Sequence, residues 1–153
     1  MIRKFKIEDA LGASKVILEC IEKSLNYKQK NKEFMIAMSQ PEKLIEKSLK
    51  LDFFVKEHNG KIIGTGCFDK GEIRTMFVLP KLQGKGFGKE ILQFLIKYAK
   101  SKGYKNIFLY SSPEAEGFYN KLGFSKIKDN YDFDFHSIYM EMHIVYMEMH
   151  IVK

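Results

Sequence analysis

Residues 83–88 read Gln-Gly-Lys-Gly-Phe-Gly, and no other stretch restricts the fold as tightly. Glycines at alternate positions, Gly84, Gly86 and Gly88, weaken both a helix and a packed strand there. Before them runs a strand-like segment, Glu72 to Leu79, stopped by Pro80. After them Ile91, Leu92, Leu95, Ile96 and Ala99 recur at helical spacing, and Gly103 ends the run. A strand, a glycine turn and a helix make an anion site. The first helical N–H groups lack intrahelical partners, the peptide dipoles align there, and no Cβ blocks approach. Lys81, Lys85 and Lys89 add positive charge. Two common phosphate loops do not fit. A P-loop needs glycine where Gln83 stands and a hydroxyl where Glu90 stands. A dinucleotide fingerprint needs GxGxxG after the first strand, whereas this GxGxG comes late.

The rest of the chain supplies the order of elements. Ile2 to Ile7 reads as a strand, and Glu8-Asp9 opens a helix carrying Val16, Ile17, Cys20, Ile21 and Leu25. Residues 26–40 are polar and lysine-rich around Phe34-Met35-Ile36, and Pro41 starts a second helix. Strands follow over 52–57, 62–68 and 72–79, joined by turns at Asn59-Gly60 and Lys70-Gly71. After the glycine turn and its helix come a strand over 107–110 and a helix with Ser112 as N-cap and Pro113 at its first position. Two last strands complete one domain, with no linker.

At 153 residues the chain is one domain with its own core. Its apolar runs are too short to span a bilayer, it shows no signal-peptide core, and two cysteines make no disulfide framework. A cytoplasmic setting is the expectation. The formal charge is +7, but only Arg3 and Arg74 are arginine, which argues against base-reading nucleic-acid contacts. The charge is also uneven. Residues 81–106 hold seven lysines against Glu90, whereas 129–153 hold five acids against Lys153.

Residues 83–88 resemble the acetyl-CoA pyrophosphate loop of the GNAT N-acetyltransferases. A second block agrees: Ala115-Glu116-Gly117-Phe118-Tyr119-Asn120-Lys121-Leu122-Gly123-Phe124 is similar to that family's A-x-x-F-Y-x-K-L-G-F helix. The resemblance covers roughly residues 1–145. It implies an α+β, three-layer GNAT fold. The central sheet would have six or seven mostly antiparallel strands, flanked by helices and splayed at the acetyl-CoA cleft.

The resemblance also implies roles. Main-chain groups of Gln83, Gly84, Lys85, Gly86, Phe87 and Gly88, with Lys89 beside them, would hold the CoA pyrophosphate. Met76, Phe77 and Val78 would pair with the pantetheine arm, and a backbone N–H of Phe77 or Val78 would polarise the thioester carbonyl. Tyr119 would protonate the departing thiolate; its alternative is a core aromatic beside Phe118. Glu72, eleven positions before Gln83, would be the base; its alternative is an exposed strand-start acid. Many relatives have asparagine where Tyr110-Ser111-Ser112 stands here, so Ser111 is the candidate for that contact.

The expected reaction is acetyl transfer from acetyl-CoA to a primary amine of a small molecule or peptide, without metal. A CoA-binding sensor that keeps the fold without turnover is the alternative. Membrane and nucleic acid are not expected partners. His58, His136, His143 and His150 have no zinc spacing with Cys20 and Cys67, which read as core fillers. Cys67 is in addition a candidate to border the cleft. At the C-terminus Tyr139–Val145 is repeated at once as 146–152. Seven is odd, so a second copy in one continuous strand would reverse its faces. The expectation is a domain over 1–145, with 146–153 a tail or an added strand that could join a homodimer.

Overall fold

The computed structural model describes residues 1–25, 27–132 and 135–144. The described strands are β1 (Ile2–Lys4), β2 (Asp52–His58), β3 (Lys61–Asp69), β4 (Glu72–Val78), β5 (Asn106–Ser111), β6 (Ser125–Asp132) and β7 (Phe135–His143). They form a sheet in the order β1-β2-β3-β4-β5-β7-β6. The helices are α1 (Ala10–Lys23), α2 (Gln29–Met38), α3 (Pro41–Ser48), α4 (Phe87–Ser101) and α5 (Glu116–Lys121). This is the three-layer mixed sheet that the resemblance implies.

Every neighbouring pair is antiparallel except β4 and β5, which run parallel. These two share one register pair, Glu72 with Phe108. Beyond it β4 runs on to Val78 and β5 to Ser111 with no further pairing, so the sheet opens into a V.

Alternation along the strands sorts side chains to two cores. On one face Phe54, Phe68, Ile73, Leu109 and Met140 pack with Leu92 and Leu95 of α4. On the other, Phe53, Val55 and Cys67 pack with Ile17 and Ile21 of α1 and Leu44 of α3. The glycines of β3, which weaken a strand reading, serve the first face. A Cβ on Gly66 would lie 2.7 Å from Ile91 Cγ2, and one on Gly64 2.6 Å from Ile91 Cδ1. Their absence lets α4 lie directly on the sheet.

The N-terminal strand is tied down by charge. Arg3 donates to both carboxylate oxygens of Asp9, at 2.8 and 2.9 Å, and to Glu57 at 3.1 Å. The Lys6 N–H donates to Asp9 as well. This fork fixes the entry to α1.

Two local readings are corrected. Residues 29–38 form a helix that the sequence pattern hides, because α2 buries none of its side chains. Ser112 stands at the N-cap of a 3-10 turn, Pro113–Ala115, but its hydroxyl caps nothing. β7 uses the first copy of the repeat, with Met140, Met142 and Ile144 buried. The second copy, and with it the tail or dimer expectation, lies outside the described residues. Among the described residues no helix is long and apolar enough to cross a membrane.

Candidate active site

The V between β4 and β5 opens into a cavity of about 720 Å³. Its walls come from four places: Cys20, Ser24 and Tyr27 of α1 and its exit, Met76–Val78 of β4, the glycine turn, and Ser112 to Tyr119 around α5.

The glycine turn is built by backbone conformation. Gly86 is the N-cap of α4 with φ +92°, a left-handed geometry that L side chains resist. The helix therefore starts abruptly, and Gly84, Gly86, Gly88 and Lys89 form the cavity wall with Gln83. Gly88 is the close-packed one: a Cβ there would meet the Phe118 ring at 3.3 Å. Lys85 and Phe87 are not part of the wall. The Phe87 ring instead lies 5.1 Å from His58 and 5.7 Å from the Lys56 ammonium. Lys56 is buried, bonds Glu90 at 2.8 Å, and so anchors the first turn of α4 to β2.

β4 reaches the cavity through a bulge. Thr65 faces Phe77 while Cys67 faces Arg74, so β4 carries one extra residue, and Thr75 adopts φ +54°. The Thr75 carbonyl accepts from Thr65 Oγ1 at 2.7 Å, and Lys47 Nζ donates to Thr75 Oγ1 at 3.0 Å. Beyond the bulge the ladder resumes, with the Leu79 N–H on the Ile63 carbonyl. Antiparallel alternation then turns the N–H and C=O of Val78 away from β3 and into the V. The Val78 carbonyl accepts from Cys20 Sγ at 3.1 Å and Gln83 Nε2 at 3.0 Å. Val78, rather than Phe77, is thus the residue whose backbone polar groups face the cavity.

Tyr119 is buried, with its ring edge-on to Phe118 at 5.1 Å and Phe124 at 6.0 Å. The ring is core, and the side chain is also cavity wall. Its hydroxyl has no hydrogen-bond partner among the described residues. Burial, with Tyr27 adding to it, pushes the phenol pKa well above the ordinary value. Tyr27 stacks on Phe135 of β7, centroids 5.2 Å apart, and burial raises its pKa too.

Glu72 stands apart from these residues, at the apex of the V and outside the cavity lining. It faces the α1 side of the sheet, half-buried, with Arg74 Nε at 4.0 Å. Burial lifts its carboxyl pKa, Arg74 pulls it back, and Asp69 lifts it further. Ser111 is buried and its hydroxyl donates to the Ser112 carbonyl at 2.7 Å. The cavity takes Ser112 in its place.

The cysteines exchange places relative to expectation. Cys67 is fully buried between α1 and the sheet, its thiol pushed up to about 12, mainly by burial. Cys20 lines the cavity, its thiol pushed up to about 11, again mainly by burial. At both positions burial favours the protonated thiol over the nucleophilic thiolate. Helical spacing put Cys20 among core positions and held no signal that its turn of α1 meets β4. Among the described residues no group of His, Cys, Asp and Glu could hold a metal.

An exposed glycine turn whose helix-start amides lack intrahelical partners, an unpaired strand edge and a phenol donor around one cleft can hold an extended anionic thioester. The acetyltransferase (GNAT) domain family model matches residues 12–146. The chain belongs to the GNAT family.

Curated relatives of this GNAT protein include serotonin N-acetyltransferase 2, chloroplastic, of Oryza sativa subsp. japonica. That enzyme is 36% identical over 66 residues, covering 43% of this chain and 32% of the relative. The chain spans about half or less of the length of the curated relatives it matches. Solved structures agree on the fold across nearly the whole chain. A GCN5-related N-acetyltransferase from Rhodopseudomonas palustris superposes with TM-score 0.85 at 18% identity, covering 94% of each chain. The PaiA N-acetyltransferase of Thermoplasma acidophilum, in complex with coenzyme A, gives 0.76 at 24% identity, covering 94% of this chain and 98% of that one.

Proposed function

We propose that this GNAT protein transfers an acetyl group from acetyl-CoA to a primary amine by direct attack, without metal. The observation that carries the reading is the Tyr119 hydroxyl. It is buried in the wall of the cavity that Met76, Phe77 and Val78 also line, with no hydrogen-bond partner among the described residues. An orphan buried hydroxyl costs stability, of order 1–3 kcal/mol, unless something else satisfies it. A thioester sulfur lying along β4 would do so.

The glycine turn holds the pyrophosphate through the amides at the start of α4, with Lys81, Lys85 and Lys89 adding charge. Gln83, Met76 and Phe77 line the arm's path. The Val78 N–H donates to the thioester oxygen, where negative charge grows in the tetrahedral intermediate. Glu72 stands six residues from Val78 along β4, roughly 20 Å at the strand rise, so it takes the proton of the incoming ammonium only through a chain of waters. The new C–N bond forms, the C–S bond breaks, and Tyr119 donates to the departing sulfur. Because burial keeps the phenol protonated, Tyr119 remains a donor across neutral and mildly alkaline pH. Ser112, rather than Ser111, is the hydroxyl best placed to meet the arm from β5.

The amine arrives from the α1 side, between residues 26–40 and the β6–β7 end. A screen of polyamines, aminoglycosides, amino acids and peptides, read by free thiol release from acetyl-CoA, tests the reading. Acetylation of at least one class is the expected result. Tight CoA binding with no amine acetylated would instead favour a CoA sensor.

A further inference from the structure

Cys20 and Gln83 meet at one atom that the acetyl-transfer steps leave unused. The Val78 carbonyl oxygen accepts from Cys20 Sγ at 3.1 Å and from Gln83 Nε2 at 3.0 Å. A carbonyl oxygen has two lone pairs, so both are engaged. The donors come from different elements: Cys20 belongs to α1, and Gln83 opens the glycine turn. Both line the cavity together with Val78 and Tyr119. α1 holds its donor firmly, since Val16, Ile17 and Ile21 around Cys20 are buried. Gln83 is held by its own N–H, which donates to the Pro80 carbonyl at 3.3 Å.

The sheet does not need these two bonds. Phe77 pairs with Thr65, and the Leu79 N–H donates to the Ile63 carbonyl, so β4 is already fixed to β3 on either side of Val78. What the two donors change is the field in the V. The N–H and C=O of Val78 leave the strand on the same side. A thioester oxygen on that N–H therefore lies close to the Val78 carbonyl oxygen. In the substrate the thioester oxygen carries only a partial charge. In the tetrahedral intermediate it carries a full one, and a bare carbonyl oxygen beside it would oppose that charge. Donors on the carbonyl draw off its negative potential, and their effect grows as the oxyanion forms. Burial holds the Cys20 thiol at about 11, so sulfur keeps its proton, and the donor persists, at neutral and mildly alkaline pH.

We propose that Cys20 and Gln83 are positioning residues of the oxyanion site: they occupy the Val78 carbonyl and leave the Val78 N–H as the polar group of that residue which meets the growing charge. They act through Val78 rather than on the acetyl group. Because the two donors reach the carbonyl from α1 and from the glycine turn, the pyrophosphate end of the cleft and its opposite wall are tied at the point where the thioester reacts. The inference rests on the acetyltransferase reading above.

Rates, affinities and a vibrational band test it. Cys20→Ala and Gln83→Met each remove one donor. Single-turnover acetylation of the best amine from the screen should fall about tenfold in each. Acetyl-CoA affinity by calorimetry should stay within about twofold of wild type, because the ground state carries little of the charge. Cys20→Ser keeps a donor and should be faster than Cys20→Ala, which a loss of packing alone would not produce. Infrared spectra of bound acetyl-CoA, isotope-labelled at the acetyl carbonyl, give a readout without turnover. The carbonyl band should shift to lower frequency on binding to wild type, less so in Cys20→Ala and Gln83→Met, with part of the shift restored in Cys20→Ser. Wild-type rates and bands in both donor-free variants, or equal losses of rate and affinity, overturn this inference alone. If wild type acetylates no amine, the acetyltransferase reading falls. The band then decides separately whether the two donors act on the bound thioester through Val78, and an unchanged band overturns that as well.

Discussion

Tyr119 is both a core ring and a cleft hydroxyl, and the two roles separate by substitution. Tyr119→Phe keeps the ring packing and removes the donor, so kcat should fall by about two orders of magnitude with acetyl-CoA affinity nearly unchanged. Single-turnover kinetics beside a binding isotherm would check this. Since burial raises the phenol pKa, wild-type activity should show no alkaline loss from this group below about pH 10. Asp9 offers a stability test with the opposite sign. Its carboxyl is held below the ordinary value first by the Arg3 hydrogen bonds, against the cost of burial. A depressed folded pKa gives stability that is present above about pH 4, the unfolded value, and lost as pH falls through the folded value. Asp9→Asn should therefore lower the melting temperature at pH 7 and flatten the loss of stability on acidification. Thermal melts across pH would show it.

The elements differ in how well the sequence announces them, and the reasons are physical. α4 was legible because Ile91, Leu92, Leu95, Ile96 and Ala99 form one stripe, and all five are buried. The strands from β2 to β4 were legible from their apolar runs and the turns between them. α2 was not legible, because a helix that buries no side chain leaves no periodic imprint. The glycine turn announced itself through backbone need, since Gly86 occupies a left-handed cap. The contribution of Cys20 to the cleft was invisible, because it depends on how α1 crosses β4, a long-range fact no local pattern encodes. The β3 glycines show a similar hidden dependence. Gly66→Ala should cost about 1–3 kcal/mol, because the new methyl would press on Ile91 and Leu95. Urea denaturation would measure it. The same change should spare acetyl-CoA binding in the molecules that remain folded.

For the whole molecule, the lysines are concentrated in the glycine turn and along α4, whereas on β6 Asp129 and Asp132 are matched by Lys126 and Lys128. Replacing Lys81, Lys85 and Lys89 together by Gln should weaken acetyl-CoA binding and reduce its dependence on ionic strength, since surface attraction is screened over about 10 Å at moderate salt. Calorimetry at two salt concentrations would test that. The V between β4 and β5 has a larger consequence. A sheet held across its middle by one register pair has two halves that are joined but not fully laced. On the proposed reading, an extended thioester arm lying against Val78 supplies the missing rungs, so the substrate becomes a temporary strand of the protein. Bound acetyl-CoA should then slow amide exchange on both sides of the gap, and each round of catalysis would unlace the sheet again when the arm departs.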